Sequence, residues 1–125
     1  MKLIVAATGT LLLAGAAALA GWWFYWPIYQ VQSEVRARLS DPESARFRDV
    51  SFNRAKRAGC GWVNAKNRMG GYVGNTHFII FPDGDLRFEP ADTEFGSSEQ
   101  KIENLQKQIN YLTLVESNCA KANSR

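Results

Sequence analysis

The feature that most constrains this chain is an uncharged amino-terminal stretch. Residues 3 to 33 contain no Asp, Glu, Lys or Arg, and leucine, alanine and glycine dominate their first half. Except for Lys2, every charged residue therefore lies beyond this stretch. The 46% share of hydrophobic residues in the 125-residue chain averages an apolar segment and a more polar remainder. Such a length excludes a multidomain enzyme and allows one small domain.

Two interpretations of the apolar stretch compete. A signal peptide would have its apolar region at residues 3 to 13 and a small-residue cleavage site ending at Ala20. A membrane anchor would occupy residues 3 to 25, which is enough for the roughly 20 residues that cross a hydrocarbon core. The sequence Trp-Trp-Phe-Tyr-Trp at residues 22 to 26 favours the anchor, because aromatic side chains are stable at headgroup depth. We define residues 22 to 26 as the aromatic belt.

Charge predicts the orientation of this anchor. The α-amino group and Lys2 should keep the amino end in the cytoplasm, which places the rest of the chain in the periplasm. We expect a single-pass inner-membrane protein with an anchor at residues 1–29, a helical stalk at 30–40 and a periplasmic domain at 41–125. Pro27 follows the aromatic belt and predicts either a helix break or the first turn of a new helix there.

The predicted periplasmic location determines how the two cysteines are interpreted. Cys60 and Cys119 both lie on the exported side, where disulfides persist, so they predict a bridge worth roughly 2 to 4 kcal/mol. The alternatives are a catalytic thiol or a metal pair, with His77 as the only imidazole partner. A zinc site of Cys and His needs about four ligands, so we expect no metal and no cofactor.

The exported part has the pattern of an α+β domain. Val31, Val35 and Leu39 predict a short helix with one apolar stripe, and Asp41 followed by Pro42 predicts a single helical turn. Three strands and a returning fourth are expected, in an antiparallel sheet of three to four strands. The predicted strands are residues 48–52, 60–67, 72–81 and, after a turn at 82–85, residues 86–88.

A carboxy-terminal amphipathic helix is the clearest element. Ser97 and Gln100 have the spacing of a capping box. The apolar residues that follow recur every three or four positions and predict a stripe that packs on the sheet, although the same rhythm fits a short coiled coil. These residues are Ile102, Leu105, Ile109, Leu112, Val115 and Cys119.

Residues 60 to 74 form the most unusual segment, with glycines, asparagines and basic residues close together. A structural interpretation has Asn64 and Asn67 bonding the backbone at a tight turn, Gly70 and Gly71 reversing it, and nearby aromatics packing together. The aromatics are Trp62, Tyr72 and Phe78. A functional interpretation makes the loop a polar binding surface. Its candidate binding residues are Asn64, Lys66, Asn67, Arg68 and Tyr72.

Three short motifs carry a resemblance to a known group. They are Asp-Pro-x-Ser-Ala-x-Phe-Arg from Asp41, Cys-Gly-x-Val-Asn-x-Lys-Asn from Cys60 and Gly-Gly-Tyr-x-Gly from Gly70. The chain resembles small, uncharacterised bacterial envelope proteins that have an amino-terminal anchor or signal and are often encoded near or within prophages. The resemblance covers residues 39 to about 82 and implies a domain type without a reaction. The basic interval at residues 54 to 57 departs from the pattern.

Charge is segregated along the domain. Residues 36 to 68 contain nine basic and three acidic side chains, and residues 83 to 116 contain eight acidic and three basic ones. The basic half could face an anionic envelope component such as lipid headgroups, lipopolysaccharide, peptidoglycan or an acidic protein. Nucleic acid is not expected as a partner, because the domain is predicted to be exported.

The sequence therefore predicts a non-enzymatic interaction protein anchored in the inner membrane. The prophage link implied by the resemblance favours a superinfection-exclusion factor that blocks phage DNA entry, acting on an envelope protein or a phage component. One alternative is an accessory subunit of a host envelope complex. Another is an envelope hydrolase or ligand-binding protein that uses the loop from Asn64 to Tyr72.

Overall fold

The structure is a computed structural model that describes residues 2–92 and 95–119. Its elements confirm the predicted α+β class. The helices are α1 (Lys2–Arg36) and α2 (Ser98–Asn118), a single 3-10 turn spans Pro42–Ser44, and the strands are β1 (Arg46–Asn53), β2 (Ala58–Asn64), β3 (Thr76–Ile80) and β4 (Leu86–Phe88). The predicted anchor begins at Met1 and the predicted domain ends at Arg125; Met1 and residues 120–125 lie outside the described residues.

Helix α1 is continuous from Lys2 to Arg36 and contains Pro27 in its interior. The helix break or first-turn position predicted at Pro27 is therefore wrong. Residues 30–36 of the predicted stalk continue the same helix, whereas residues 37–40 follow it as a turn and a bend. The described part Thr8–Arg36 includes a stretch long and apolar enough to cross a membrane, and none of that stretch is buried inside the protein. The belt is also exposed, with Trp22 and Trp26 stacked at 4.3 Å between ring centroids.

The last two turns of α1 belong to the domain core. Val31 and Val35 are buried against Val63, Phe78 and Ile80 of the sheet. The predicted stripe through these valines is thus the contact that fixes α1 to the domain. Close approach depends on Gly59, because a Cβ there would overlap Val31 Cγ2.

The four strands form an antiparallel sheet in the order β1-β2-β3-β4. Alternate residues of the central strands face opposite layers: Phe78 and Ile80 pack toward α1, whereas Cys60 and Ile79 pack toward α2. The end of α1, the sheet and the end of α2 therefore make three layers. Strand β2 ends at Asn64, and strand β3 begins at Thr76. Both strands are therefore shorter than predicted, and a loop connects them.

A bulge in β1 changes which side chains face the core. Arg48 pairs with Trp62 and Ser51 with Cys60, so two residues of β1 oppose Gly61 alone. Asp49 has a φ of 50° at this point. The expected simple alternation of Arg48, Val50 and Phe52 is consequently interrupted, because Arg48 is exposed while the other two pack on the core together with Phe47.

Helix α2 begins with the predicted capping box of Ser97 and Gln100. Its apolar stripe does not face the core. Tyr111 is the only buried residue of α2, and Val115 packs beside it. The predicted core-facing stripe is wrong over most of its length, since four of its aliphatic side chains are more than half exposed. They are Ile102 (66%), Leu105 (57%), Ile109 (56%) and Leu112 (60%).

The predicted disulfide between Cys60 and Cys119 is present. It joins buried β2 to the residue that caps α2, across 59 positions of sequence. Cys60 is packed with Ile79 and Tyr111, so the bond lies beside the core that α2 shares with the sheet. The bridge therefore determines where the carboxyl end of α2 meets the domain.

Candidate functional site

The connection between β2 and β3, which we call the glycine loop (residues 64 to 74), is held by its asparagines. Asn67 Oδ1 accepts hydrogen bonds from the backbone N–H groups of Met69 (3.0 Å) and Gly71 (3.2 Å). Asn64 Oδ1 accepts one from the N–H of Gly74 at 3.1 Å. The structural role predicted for both asparagines is confirmed. Their carbonyl oxygens are committed to the loop backbone.

Two cations contact the ring of Tyr72 in this loop. The guanidinium of Arg46 is 4.5 Å from the centroid of its ring, and Lys66 Nζ is 5.5 Å from it. An isolated backbone bridge pairs Lys66 with Tyr72. Cation–π contacts of this kind orient charged groups that would otherwise be free to rotate in water. The glycine loop and the first residue of β1 therefore present Arg46, Lys66 and Tyr72 as one ordered basic and aromatic surface.

The sequence motifs that carry the resemblance converge on this surface. Ser44 Oγ accepts a hydrogen bond from the backbone N–H of Lys66 at 2.9 Å and donates one to the carbonyl of Asp41 at 2.8 Å. The Asp41 side chain makes no cap hydrogen bond. The first motif thus supports the second, because Ser44 bonds the backbone of Lys66. The stretch of the first motif also contacts the third, because Arg46 lies over the ring of Tyr72. Ser44 is a fixed position of the first motif and Arg46 is a variable one, and neither is among the predicted site residues.

The tip of the glycine loop is open to solvent and partly apolar. Met69 is 94% exposed and Val73 is 64% exposed. Arg68 beside them is also exposed. Of the five predicted site residues, Lys66, Arg68 and Tyr72 offer charge or an aromatic face outward, whereas Asn64 and Asn67 shape the loop. An exposed surface of cations, one aromatic ring and apolar tips suits a partner that is anionic and partly apolar.

His77 lies on the opposite, α2-facing side of β3. Its Nδ1 is hydrogen-bonded to the Tyr111 hydroxyl at 2.9 Å, and Trp62 contacts its ring edge-on at 5.0 Å. Burial lowers the pKa of His77, partly offset by the carboxylate of Glu89, and burial raises the pKa of Tyr111. Both groups are therefore neutral near pH 7.

This arrangement corrects the predicted aromatic packing. Trp62 packs against His77, Phe78 lies in the core on the other face of the sheet with Phe47, and Tyr72 is on the glycine loop. The three aromatics do not form one cluster, since neighbouring strand residues point to opposite faces.

A second basic surface lies beside α1. The turn between β1 and β2, residues 54 to 57, which we call the basic turn, contains Arg54, Lys56 and Arg57, all exposed. Arg54 donates a hydrogen bond to the backbone carbonyl of Trp23 and stacks over its ring at 4.5 Å. The sequence alone shows that this turn is basic. It does not predict the contact between Arg54 and Trp23, because the two residues are more than thirty positions apart.

Within residues 2–92 and 95–119, no group of three or more His, Cys, Asp or Glu side chains could hold a metal ion. Both cysteines form the disulfide.

No protein-family model, curated protein or solved structure matches this chain.

Proposed function

We propose that this protein is a non-enzymatic interaction protein, anchored in the inner membrane by α1 with its domain in the periplasm. The observation that carries the proposal is the ordered surface of Arg46, Lys66 and Tyr72, with exposed Met69 at its tip. Hydrogen bonds from the loop backbone to the side chains of Ser44, Asn64 and Asn67 hold this surface, so it is formed before any partner binds. Preorganised side chains lose less conformational entropy on binding than free ones.

The disulfide supports the periplasmic location. A bond between Cys60 and Cys119 persists in oxidising compartments and is rare in the bacterial cytosol. Arg36 and Arg38 lie close enough to the anchor to oppose export under the positive-inside rule. The disulfide is therefore the main support for a periplasmic domain. The positive charge of Lys2 at the amino end is a second, weaker support.

The proposal of a non-enzymatic role rests on what the reactive groups already do. The cysteines are joined to each other, and the single histidine is half-buried and bonded to Tyr111. A nucleophile needs a base within hydrogen-bond reach, and a general base needs access to a substrate proton. Neither role is compatible with these partners.

The partner we propose is an acidic envelope protein or a phage component, and the cellular role is superinfection exclusion. This role rests on the sequence resemblance to prophage-linked envelope proteins. The test is expression of the chain in a bacterial host followed by infection with a panel of related and unrelated phages. We expect reduced plaque counts and blocked DNA entry with normal adsorption for at least one phage. Unchanged plaque counts throughout the panel would contradict superinfection exclusion.

The binding surface is tested by photo-crosslinking in intact cells. A photoreactive residue at Met69 should capture one recurrent protein, and the same residue at Asp83, in the exposed turn before β4, serves as the matched control. Lys66→Glu with Arg68→Glu should abolish the capture and the plaque reduction without lowering the melting temperature, because both side chains point into solvent or onto an exposed ring. Capture that survives this double substitution would contradict the assigned surface.

A stoichiometric host complex recovered with the protein would favour the alternative of an accessory subunit. The chain would then co-purify in detergent with the same partner in cells that have never met a phage. Capture that appears only during infection would favour the phage-linked role.

A further inference from the structure

An open cavity lies where α1 leaves the aromatic belt and meets the sheet. Its volume is about 440 Å³, and its lining includes Val31, Ile80, Glu34 and Arg57. Val31 and Ile80 are buried and give it an apolar floor. Sites for small ligands have volumes of roughly 300–1,000 Å³ and combine apolar walls with a few polar groups. We call this the junction cavity.

The two charges of the junction cavity are not neutralised by protein partners. Among the described residues, neither Glu34 nor Arg57 takes part in an ion pair with the other or with a third side chain. Arg57 also has a φ of 54°, a conformation that most residues avoid. One free carboxylate and one free guanidinium on the same cavity suit a ligand that carries both signs of charge.

The cavity lies at the depth of lipid headgroups if the belt marks the membrane interface. Pro27, the first residue after the belt, is part of the cavity lining. Glu34 follows seven residues later, about 10 Å further from the membrane along the helix. Arg57 is three residues from Arg54, which contacts Trp23 of the belt. The guanidinium side of the cavity is therefore nearer to the hydrocarbon core than the carboxylate side.

We propose that the junction cavity binds the headgroup of a zwitterionic aminophospholipid, with its phosphate at Arg57 and its ammonium at Glu34. A phospholipid presents its groups in this order, because the phosphate is linked to the glycerol and the ammonium lies at the end of the headgroup. The proposal rests on the membrane anchoring of the proposed function. The proposed lipid binds away from the glycine loop, so it is a second ligand in addition to the partner proposed for that loop.

The test uses the full chain extracted in mild detergent and supplied with equal amounts of phosphatidylethanolamine and phosphatidylglycerol. Retained lipid is identified by native mass spectrometry. We expect the wild type to retain phosphatidylethanolamine about tenfold more than phosphatidylglycerol, because only the former pairs both charges. Glu34→Gln should remove this preference. Arg57→Asn should reduce retention of both lipids, and asparagine tolerates the positive φ.

Matched controls are Glu43→Gln and Arg48→Gln, which remove exposed charges outside the cavity. Both should behave as wild type. Equal retention of the two lipids, a preference for phosphatidylglycerol, no retained lipid, or an equal effect of the controls would each overturn the proposal. Carbonate extraction of cell membranes separates this failure from that of the anchor: a chain released by carbonate contradicts the anchoring itself and the lipid site with it.

A second inference comes from the exposed apolar residues of α2, independently of the cavity. Ile102, Leu105, Ile109 and Leu112 follow the spacing of alternating a and d positions in a heptad, with Ile at a and Leu at d. This combination favours two-stranded parallel coiled coils. We define these four residues as the α2 stripe. The flanking positions Gln106, Gln108 and Thr113 are uncharged, and Lys101 faces Gln106 of the other copy in a parallel pair, so two identical stripes meet without like-charge repulsion.

The membrane anchor favours a second copy of the chain as the occupant of the stripe. Two copies anchored in the same bilayer are related by a rotation about the membrane normal, so the directions of their α2 helices along that normal are the same, as the parallel pairing of the Ile and Leu pattern requires. The stripe has only two heptads, which is short for free helices. Confinement to the membrane raises the effective concentration and compensates for this length. We infer that the protein forms a parallel homodimer through the α2 stripe.

The test is photo-crosslinking of the full chain in native membranes from a residue placed at Leu105. We expect a covalent product of twice the chain mass, and none from the control position Lys107, which lies on another face of α2. Leu105→Lys with Leu112→Lys should abolish dimers captured from Ile109 while leaving the melting temperature of the detergent-solubilised monomer unchanged. Capture of only an unrelated protein, or of nothing, would overturn the homodimer.

Discussion

Arg54 satisfies a backbone group of α1 that the sequence of α1 itself leaves without a partner. Its guanidinium donates to the carbonyl oxygen of Trp23 and lies over the Trp23 ring at 4.5 Å. That carbonyl would normally accept from the residue four positions later, which is Pro27 and has no N–H. The basic turn of the domain therefore completes the helix that carries the domain.

This relationship predicts an energetic coupling between Arg54 and Pro27. Arg54→Met should destabilise the domain by about 1 kcal/mol, because a cation–π contact and a charge-assisted hydrogen bond are lost at a partly exposed position. With Pro27→Ala already present, the same change should have a smaller effect, since the introduced alanine supplies the missing N–H. Unfolding free energies of the four variants in detergent give the coupling, and Lys56→Met is the control. Additive effects would contradict the shared carbonyl.

The Cys60–Cys119 bond should dominate the stability of the domain. It closes 59 positions of chain, so replacing both cysteines by alanine should lower the free energy of unfolding by about 2–4 kcal/mol. Reduction of the wild type should give a somewhat smaller loss, because the buried Cys60 keeps its sulfur and the packing that alanine removes. Denaturant titrations of the three samples measure it. A loss under about 1 kcal/mol would show that α2 docks without the bond.

Helix α2 offers a direct comparison between adjacent residues. Tyr111→Ala should destabilise the domain by about 3 kcal/mol, since it removes a buried ring and its bond to His77. Leu112→Ala should change stability by less than about 0.5 kcal/mol in the monomer, because this side chain is 60% exposed. Thermal unfolding at low concentration in detergent tests both. A large loss of stability in Leu112→Ala would contradict the outward position of Leu112 and support the core-facing stripe predicted from the sequence.

The His77 environment predicts a loss of stability in mild acid. Burial lowers the pKa of His77 in the folded protein, so the unfolded chain binds the proton more tightly. Stability is therefore complete above the unfolded pKa of about 6.5 and declines as the pH falls below it, levelling off beneath the folded pKa. Melting temperatures between about pH 7.5 and pH 5 should show a smaller decline in His77→Asn, whose side-chain amide does not titrate and can hydrogen-bond to the Tyr111 hydroxyl. An identical decline in both proteins would assign the effect to carboxylates.

Gly61 should be intolerant of a side chain because of the bulge opposite it. A Cβ at this position would lie 3.0 Å from the Cα of Val50 and 3.2 Å from Phe78 Cζ. The backbone atom cannot move aside, so Gly61→Ala should destabilise the domain by about 2 kcal/mol. Gly71→Ala is the control, since its nearest neighbour would be Asn67 Oδ1 at 3.9 Å. Equal melting temperatures for the two variants would contradict the close approach of Val50 to Gly61 at the bulge.

Local patterns accounted for much of the candidate site. The two asparagines and two glycines of the loop have short-range roles that residue chemistry predicts, and the hydrogen bonds of Asn64 and Asn67 agree with it. Ser44 and Arg46 could not be assigned to the same surface, because their contacts with Lys66 and Tyr72 cross more than twenty positions of sequence. Such contacts depend on strand register, which the bulge in β1 shifts by one residue.

By itself, the sequence determined the apolar helix, the α+β class, the capping box of α2 and the cysteine pair, because each depends on composition, periodicity or short-range chemistry. Only the tertiary structure decided that α1 continues through Pro27 and which face of α2 meets the sheet. Helical periodicity defines a stripe but not its partner. The disulfide at Cys119 and the bond from Tyr111 to His77 set the rotation of α2 about its axis, and they turn Ile102, Leu105, Ile109 and Leu112 outward.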